Sequence, residues 1–300
     1  MSQTLIFRKG GDVTLLHDDH IKEKKDYVTW MHLGPNEKLI DATIKAFGQD
    51  EDFREDFLEE QRPRLANFKN FSVVVFTAPT KTGVVQLSFI ISKNKVISVA
   101  NEVTDLIDLV TKELIDENEK LSPSEILSHI IDEAIEASID LIEDQEKWAD
   151  GLELSVLRNQ KLNQGRIQDL RVDAFSNAKL FRADLEVIRE ILDGEAKFVK
   201  ASEFDENHED RVLFAIDELD TIKESVTNIT NMHLANLSHR MNESMHKLTI
   251  VGSILLIPAV VASVFGMNVT LPALGFWEIM LGSLGVALVM VGVLKSFKWI

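Results

Sequence analysis

Two long apolar runs, separated by a short loop, end the chain and constrain its fold more than any other feature. Residues 248–267 contain no charged side chain, and residues 276–294 contain only Glu278, near their start. Each run has close to the 20 residues that an α-helix needs to cross the roughly 30 Å hydrocarbon layer of a bilayer. A buried helical hairpin in a soluble protein is the weaker interpretation, because both runs have this length. The sequence therefore predicts two membrane-spanning helices.

Basic residues flank the outer ends of both runs and predict their orientation. Arg240 and Lys247 precede the first run, and Lys295 and Lys298 follow the second. The positive-inside rule then places both termini in the cytoplasm and residues 267–276 outside. The first ten residues hold no long apolar core behind a basic end, so we expect no signal peptide and a protein of the cytoplasmic membrane.

The remainder of the chain is strongly acidic. Residues 248–300 carry one acidic and two basic side chains, so the preceding 247 residues hold 48 acidic and 30 basic ones, a net charge of −18. This surface charge argues against nucleic-acid binding and is compatible with cation handling. Cysteine is absent, which excludes disulfides, thiolate metal sites and cysteine nucleophiles. There is no phosphate-binding GxxxxGK[ST] loop and no HExxH pair, so we expect neither an enzyme nor an organic cofactor.

The first 110 residues predict an α/β domain with a mixed sheet. Strand-forming runs rich in β-branched and aromatic residues occur at 3–7, 13–16, 27–33, 72–76, 84–92 and 96–100. Helices are predicted from Gly34-Pro35-Asn36 to about Phe47, and over residues 103–115.

The following residues predict long helices. Ser122-Pro123-Ser124-Glu125 has the pattern of a helix start, with Ser122 as N-cap and Glu125 completing a capping box. Nearly continuous helix should follow to about Val199, with breaks or bends at Gly151, Gly165 and Gly194. From Glu209 to about Phe265 we expect one unbroken helix of about 85 Å. We divide the chain into a cytoplasmic α/β domain (1–120), a helical stalk region (121–247) and a transmembrane domain (248–300).

Apolar residues recur every three or four positions along this last helix, the pattern of an amphipathic or coiled-coil seam. Continued into the first span, the spacing brings a set of residues near one face: Asn242, Met245, Leu248 or Thr249, Gly252, Leu256, Ala259 and Ser263. An apolar face with polar ends can line an ion path that gates by dewetting. Ordinary helix–helix packing explains the same spacing equally well.

Three groups of side chains could hold metal ions. His17-Asp18-Asp19-His20 are consecutive, so they cannot all face one ion, and a solvated turn is favoured. His233, His239 and His246 do not share one helical turn, which favours stalk-surface positions. An acidic group could bind divalent cations between subunits, although a solvated charged face is favoured; it comprises Glu203, Asp205, Glu206, Glu209 and Asp210.

The chain resembles the CorA family of divalent-cation (Mg²⁺) channels. The resemblance is carried by Gly266-Met267-Asn268 and the following Pro272, by the ending Lys298-Trp299-Ile300, and by the approach to the membrane over residues 241–250. Weaker similarity occurs at residues 29–33, 62–64 and 96–99, so the resemblance covers the chain from end to end.

The resemblance implies a homopentamer with a cytoplasmic α/β funnel, a stalk helix that becomes the pore-lining first span, and an outer second span. It implies that Gly266, Met267 and Asn268 form the selectivity filter, where Asn268 oxygens bind the waters of a hydrated Mg²⁺. The family's pore-lining and gate positions fall on Asn242, Met245, Leu248, Gly252, Leu256 and Ala259. Regulatory Mg²⁺ between cytoplasmic subunits is also implied, without ligands that can be transferred to this chain.

One departure concerns the outer loop. The family often has Met-Pro-Glu-Leu where this chain has Leu271-Pro272-Ala273-Leu274, which removes an acidic ring. Either Glu278 compensates for it, or cation capture is weaker.

The expected function is therefore Mg²⁺ uptake across the cytoplasmic membrane down the electrochemical gradient, with Co²⁺ and Ni²⁺ as secondary ions. One alternative is a transporter of zinc or another transition metal from the same superfamily. The other is a cytoplasmic sensor or scaffold that a helical hairpin anchors to membrane lipid.

Overall fold

The computed structural model describes most of the chain, and every structural statement below refers to the residues it describes. These are residues 3–7, 13–16, 28–34, 40–41, 45, 61–80, 83–100, 102, 105–117, 121–158, 160, 164–267 and 275–297. The predicted helix ending near Phe47 and the sequence His17-Asp18-Asp19-His20 lie mostly or wholly outside these residues.

Strands come first along the chain and helices follow. The strands are β1 (Gln3–Phe7), β2 (Val13–Leu16), β3 (Val28–Leu33), β4 (Arg64–Asn67), β5 (Ser72–Thr80), β6 (Gly83–Ile91) and β7 (Lys95–Ala100). The helices are α1 (Leu106–Glu117), α2 (Pro123–Leu157), α3 (Gln164–Leu192), α4 (Asn207–Phe265) and α5 (Phe276–Ser296), with a short 3₁₀ turn at Ala201–Glu203.

The seven strands form one mixed sheet in the order β2-β1-β3-β7-β6-β5-β4. β3 and β7 are parallel, with Trp30 opposite Val96, and the other neighbours are antiparallel. Helices α2 and α3 contact β5, in which residues 72–78 are all buried. Burial of consecutive residues means that both faces of the strand are covered. The predicted α/β domain with a mixed sheet is confirmed.

A polar contact joins the two parallel strands inside the core. Trp30 Nε1 donates a hydrogen bond of 2.9 Å to Ser98 Oγ, and His32 Nδ1 lies 3.0 Å from the same oxygen. Burial lowers the pKa of His32 to about 4, so its ring is neutral at pH 7. The weak sequence similarity at 29–33 and 96–99 thus lies on hydrogen-bonded neighbours.

The capping box predicted at Ser122 is present at the start of α2. Glu125 N donates to Ser122 Oγ at 3.1 Å, and Ser122 N donates to Glu125 Oε2 at 2.6 Å. Gly151 was predicted as a break or bend, and a break there is wrong, because α2 runs through it to Leu157. A helical glycine costs only about 1 kcal/mol relative to alanine, and burial of the adjacent Leu152 outweighs that cost.

Two compact units divide the chain, Met1–Ile229 and Thr230–Ile300. The predicted three-part division at residues 120 and 247 marks functional regions and stays a prediction. In α4 the buried apolar residues recur every three or four positions as predicted: Val212, Ile216, Leu219, Ile222, Val226 and Ile229. The helix continues through Pro258 and ends at Phe265.

Asp184 of α3 connects this helix to the sheet. The strand β4 pairs with β5 only from Ser72 to Val75, so Thr77 lies beyond its end. The Thr77 backbone N–H donates to Asp184 Oδ1 at 3.1 Å, and the Thr77 hydroxyl donates to Oδ2. Burial raises the pKa of Asp184 well above its ordinary value of 3.8, although both Thr77 hydrogen bonds oppose the shift.

Replacing Asp184 with alanine should lower the free energy of unfolding by about 1–3 kcal/mol, because the buried Thr77 amide loses its acceptor. Asp184→Asn keeps an acceptor and is the matched control, with a smaller loss. An aspartate with a raised folded-state pKa stabilises most below its unfolded pKa, and this contribution falls as pH rises through the folded pKa. The free energy of unfolding of the Asp184→Asn variant should therefore rise relative to that of the wild type as pH rises. Urea unfolding of the detergent-solubilised protein at several pH values measures both effects; equal losses for the two variants would contradict the assignment.

Candidate functional site: the apolar helices and the end of α4

Two of the described helices, α4 and α5, contain segments long and apolar enough to cross a membrane. Their apolar side chains are largely exposed, as in Leu248 (72%) and Val289 (68%). Only two residues of α5 are buried, Ser283 and Ala287, which are small and four positions apart. Small residues at this spacing let a neighbouring helix approach closely. The exposed apolar surface is what a lipid-facing or subunit-facing helix presents.

Two hydroxyl groups in these segments donate hydrogen bonds within their own helix. Thr249 Oγ1 donates to the Met245 carbonyl oxygen at 2.9 Å, and Ser283 Oγ donates to the Met280 carbonyl oxygen at 2.9 Å. Lipid offers no partner to a polar group, so internal bonds of this kind are required in a span. Just before the first span, Lys247 Nζ donates to Glu243 Oε1 at 2.6 Å. This hydrogen bond and the lysine charge lower the pKa of Glu243.

The six residues predicted to line a pore all lie on α4 and are all exposed: Asn242, Met245, Leu248, Gly252, Leu256 and Ala259. At about 100° per residue they fall within about 120° of the helix circumference. A single chain thus presents them as one uncovered stripe. Their roles in a pore depend on neighbouring chains and stay predictions.

The predicted filter begins where α4 ends. Gly266 N donates to the Ala262 carbonyl oxygen at 3.0 Å, and Met267 N to the Val264 carbonyl oxygen at 3.3 Å. A Cβ at Gly266 would lie 3.3 Å from the Ala262 oxygen, a tight contact that favours glycine. Met267 is exposed. Asn268 and the loop through Leu274 lie outside the described residues.

Glu278 is engaged at the start of α5. Its Oε2 atom accepts a hydrogen bond of 3.0 Å from the Gly275 backbone N–H. A carboxylate in the first turn also interacts favourably with the positive end of the helix dipole. This use as a cap weakens the expectation that Glu278 compensates for the acidic residue missing after Pro272.

The other candidate metal-binding groups form salt bridges or are exposed. Glu203 pairs with Lys200 at 2.6 Å, and Glu209 pairs with Arg189 at 2.7 Å. Glu206 and Asp210 are exposed. His233, His239 and His246 are at least partly exposed on α4. Asp205 differs, because it lies next to a buried histidine that the sequence did not single out, His208.

Comparisons with known proteins agree with this architecture. The cobalt/magnesium transport protein CorA of Thermotoga maritima is 26% identical over 269 residues, which are 82% of this chain and 75% of that protein. The complete structure of the CorA magnesium transporter from Methanocaldococcus jannaschii matches 100% of this chain and 99% of its own, with a TM-score of 0.85 and 20% identity. The full-length CmaX protein matches 99% and 97%, with a TM-score of 0.78 and 17% identity.

These structural likenesses confirm the predicted fold, an α/β domain followed by long helices and two apolar helices. The family described as CorA-like Mg²⁺ transporter protein matches residues 25–298, nearly the whole chain. The family resemblance inferred from Gly266-Met267-Asn268 and from the ending Lys298-Trp299-Ile300 is therefore confirmed. The chain belongs to the CorA-like Mg²⁺ transporter protein family.

Proposed function

We propose that this chain is one subunit of a homo-oligomer, a pentamer, that moves divalent cations across the cytoplasmic membrane. Mg²⁺ is the main ion, and Co²⁺ and Ni²⁺ are secondary ions. The C-terminal part of α4 and all of α5 form the two spans. Basic residues at the outer ends of the spans support a cytoplasmic position for both termini. We assign a cytoplasmic α/β domain to residues 1–120, a helical stalk to residues 121–247 and the transmembrane domain to residues 248–300.

One observation carries this proposal: the apolar seam of α4 continues beyond the point where its own chain covers it. Up to Ile229 the seam is buried. Beyond it the exposed fractions are 41% for Leu237, 61% for Met241 and 59% for Met245. Burying such side chains is worth about 1.5–3 kcal/mol each, so an uncovered seam favours association with further copies. Two spans cannot enclose an ion path alone, and a ring of copies can.

In such a ring the exposed stripe of α4 lines the path. Met245, Leu248 and Leu256 form apolar constrictions that can gate by dewetting, and Asn242 adds a polar ring at the cytoplasmic end. Outside, the loop of Gly266, Met267 and Asn268 selects the ion. Asn268 oxygens bind the waters of hydrated Mg²⁺, which suits an ion that gives up its hydration shell reluctantly.

The membrane potential drives uptake in this scheme. An inside-negative potential favours entry by about 2.3 kcal/mol per charge per 100 mV, and a divalent ion gains about twice that. No chemical step is required, so the protein acts as a channel rather than an enzyme. The net negative charge of residues 1–247 favours cations near the cytoplasmic end of the path. Mg²⁺ is both cargo and regulator in this scheme, and no organic cofactor takes part.

Ion flux into liposomes tests the proposal. We expect the purified oligomer to carry Mg²⁺ inward under an inside-negative potential, and Co²⁺ and Ni²⁺ to compete with it. A flux of Zn²⁺ that depends on a proton gradient, without Mg²⁺ flux, would instead indicate a transition-metal transporter. An intact oligomer that carries none of the four ions would leave the anchored sensor or scaffold.

A further inference from the structure

The turn between α2 and α3 reverses the charge of the helix that leads to it. Residues 131–153 of α2 hold nine acidic side chains and one basic one, a net charge of −8. Residues 154–172, which we call the hairpin tip, hold one acidic side chain and four basic ones, a net charge of +3. The basic residues are Arg158, Lys161, Arg166 and Arg171. The hairpin tip is therefore a cationic segment in a chain whose net charge is −17.

The described arginines of the hairpin tip lack acidic partners. Arg158, Arg166 and Arg171 are exposed, and no carboxylate of the described residues lies within salt-bridge distance of them. Arg182, further along α3, is by contrast 2.8 Å from Asp220. Positive charge that the chain does not neutralise remains available to an anionic partner.

Two leucines at the end of α2 add an apolar component to the hairpin tip. Leu154 and Leu157 are 52% and 63% exposed, whereas Val156 between them is buried. At about 100° per residue, the two leucines lie about 60° apart on the helix surface. The exposed residues Glu143 and Asp150 lie on the same side of α2, one to three turns earlier. The outward face of α2 thus changes from acidic to apolar in its last turn.

The direction of α3 places the hairpin tip toward one end of the first compact unit. Arg189 pairs with Glu209 at 2.7 Å, and Lys223 Nζ lies 5.5 Å from the ring centre of Phe175. Fourteen residues back along α3 thus match fourteen residues forward along α4, so the two helices are antiparallel. The first unit ends at Ile229, six residues after Lys223. The hairpin tip, which precedes Phe175, therefore lies toward the end of this unit from which the chain continues to the spans.

We propose that the hairpin tip docks on the cytoplasmic surface of the membrane and binds anionic phospholipid there. Guanidinium groups bind phosphate bidentately, and the negative potential of the cytoplasmic leaflet attracts basic residues. Leu154 and Leu157 would enter the boundary between headgroups and acyl chains. An acidic surface of another copy would account for the arginines alone, whereas lipid accounts for the leucines as well. Docking rests on the cytoplasmic position proposed for residues 1–247 and does not require ion transport.

A spin label at the hairpin tip tests this contact. The chain has no cysteine, so one introduced cysteine is labelled selectively. Gln160→Cys places the label at an exposed position between α2 and α3, and Asp193→Cys, at the opposite end of α3, is the control position. The full-length oligomer is placed in nanodiscs of phosphatidylcholine with or without phosphatidylglycerol. We expect phosphatidylglycerol to shield the label at position 160 from a water-soluble relaxation agent and to leave the label at position 193 unchanged.

A pair of double variants then tests the role of charge. Arg158→Gln with Arg166→Gln, made in the labelled Gln160→Cys protein, should lower the docking equilibrium constant at least about tenfold, since each basic residue near an anionic surface contributes about a factor of five. The matched control, Lys112→Gln with Lys179→Gln, removes the same charge at exposed positions outside the hairpin tip and should dock like its parent. High salt should weaken docking, because it screens exposed charges.

Three results would contradict the proposal. Equal shielding of the label at position 160 with and without phosphatidylglycerol would overturn the docking site, as would full docking of the double arginine variant. Shielding that persists in detergent without lipid would identify another copy as the partner and overturn the assignment to lipid. The label is read without ion flux, so a protein that transports no Mg²⁺ can still show docking, and the two proposals fail separately.

Discussion

Asn268→Ala is expected to abolish Mg²⁺ flux while the oligomer stays intact. Alanine removes the amide oxygen that we propose binds the waters of the arriving ion. A hydrogen bond to a charged group is worth about 1.5–3 kcal/mol, and each 1.4 kcal/mol is a factor of ten. Loss of such contacts around a ring should thus reduce Mg²⁺ flux by at least about tenfold. The change leaves every buried residue that the structure describes in place, so we expect little effect on stability.

Mg²⁺ uptake into liposomes measures this result, with size-exclusion chromatography to check the oligomer. Asn228→Ala is the matched control, because Asn228 is exposed on α4 within the first compact unit. That variant should transport at the wild-type rate. Normal flux through Asn268→Ala would refute the filter assignment, whereas loss of flux in both variants would point to a general defect.

Leu256→Asn is expected to raise ion flux and to weaken selectivity against K⁺. Leu256 is 61% exposed in the single chain and belongs to the stripe that we place around the path. Burial of a leucine side chain is worth about 1.5–3 kcal/mol, so a polar ring in its place should lower the barrier to wetting. An increase of about tenfold or more in Mg²⁺ flux corresponds to this range.

Val251→Asn provides a control for the gate. Val251 is also an exposed apolar residue of α4, with an exposed fraction of 53%. Five steps along an α-helix turn a side chain by about 140° from Leu256, which places Val251 about 60° beyond Leu248, the nearest residue of the stripe. Its variant should insert less well and should conduct no faster than wild type. If Val251→Asn conducts and Leu256→Asn does not, the pore face has been assigned to the wrong side of α4.

Much of the fold follows from local patterns in the sequence. Strands β3, β5 and β7, which hold Trp30, Phe76 and Ile97, are rich in β-branched and aromatic residues, which fit a covered sheet. The start of α2 follows from its capping box, and the two spans follow from their length and lack of charge. In each case the deciding interactions lie within a few residues of one another.

Other features depend on contacts between distant residues. β4 is four residues long and contains Arg64 and Asn67, so its composition does not suggest a strand. It forms because Asn67 contacts remote partners, donating to the Glu195 carbonyl oxygen and accepting from Lys197 N. Gly151 suggested a break that helix packing overrides.

The candidate functional sites also differ in whether the local sequence reveals them. The spacing of Gly266, Met267 and Asn268 after an apolar run is visible in the sequence, as is the stripe of α4. His208 was missed because nothing local shows that its ring is buried beside Asp132, which is 76 positions away. An aspartate three residues before a histidine at a helix start, as in Asp205 and His208, was the only local signal.

Pro258 gives the first span a mechanically weak point. Proline has no backbone N–H, so the carbonyl oxygen of Ile254, one turn earlier, loses its helical partner. Lipid tails cannot replace that donor, and the oxygen must turn to water in a lumen or to a neighbouring helix. In the proposed ring each copy would have this turn at the same depth. We therefore expect the part of the span beyond Pro258 to bend more easily than the part before it, which would make Pro258 a hinge for widening the proposed outer mouth.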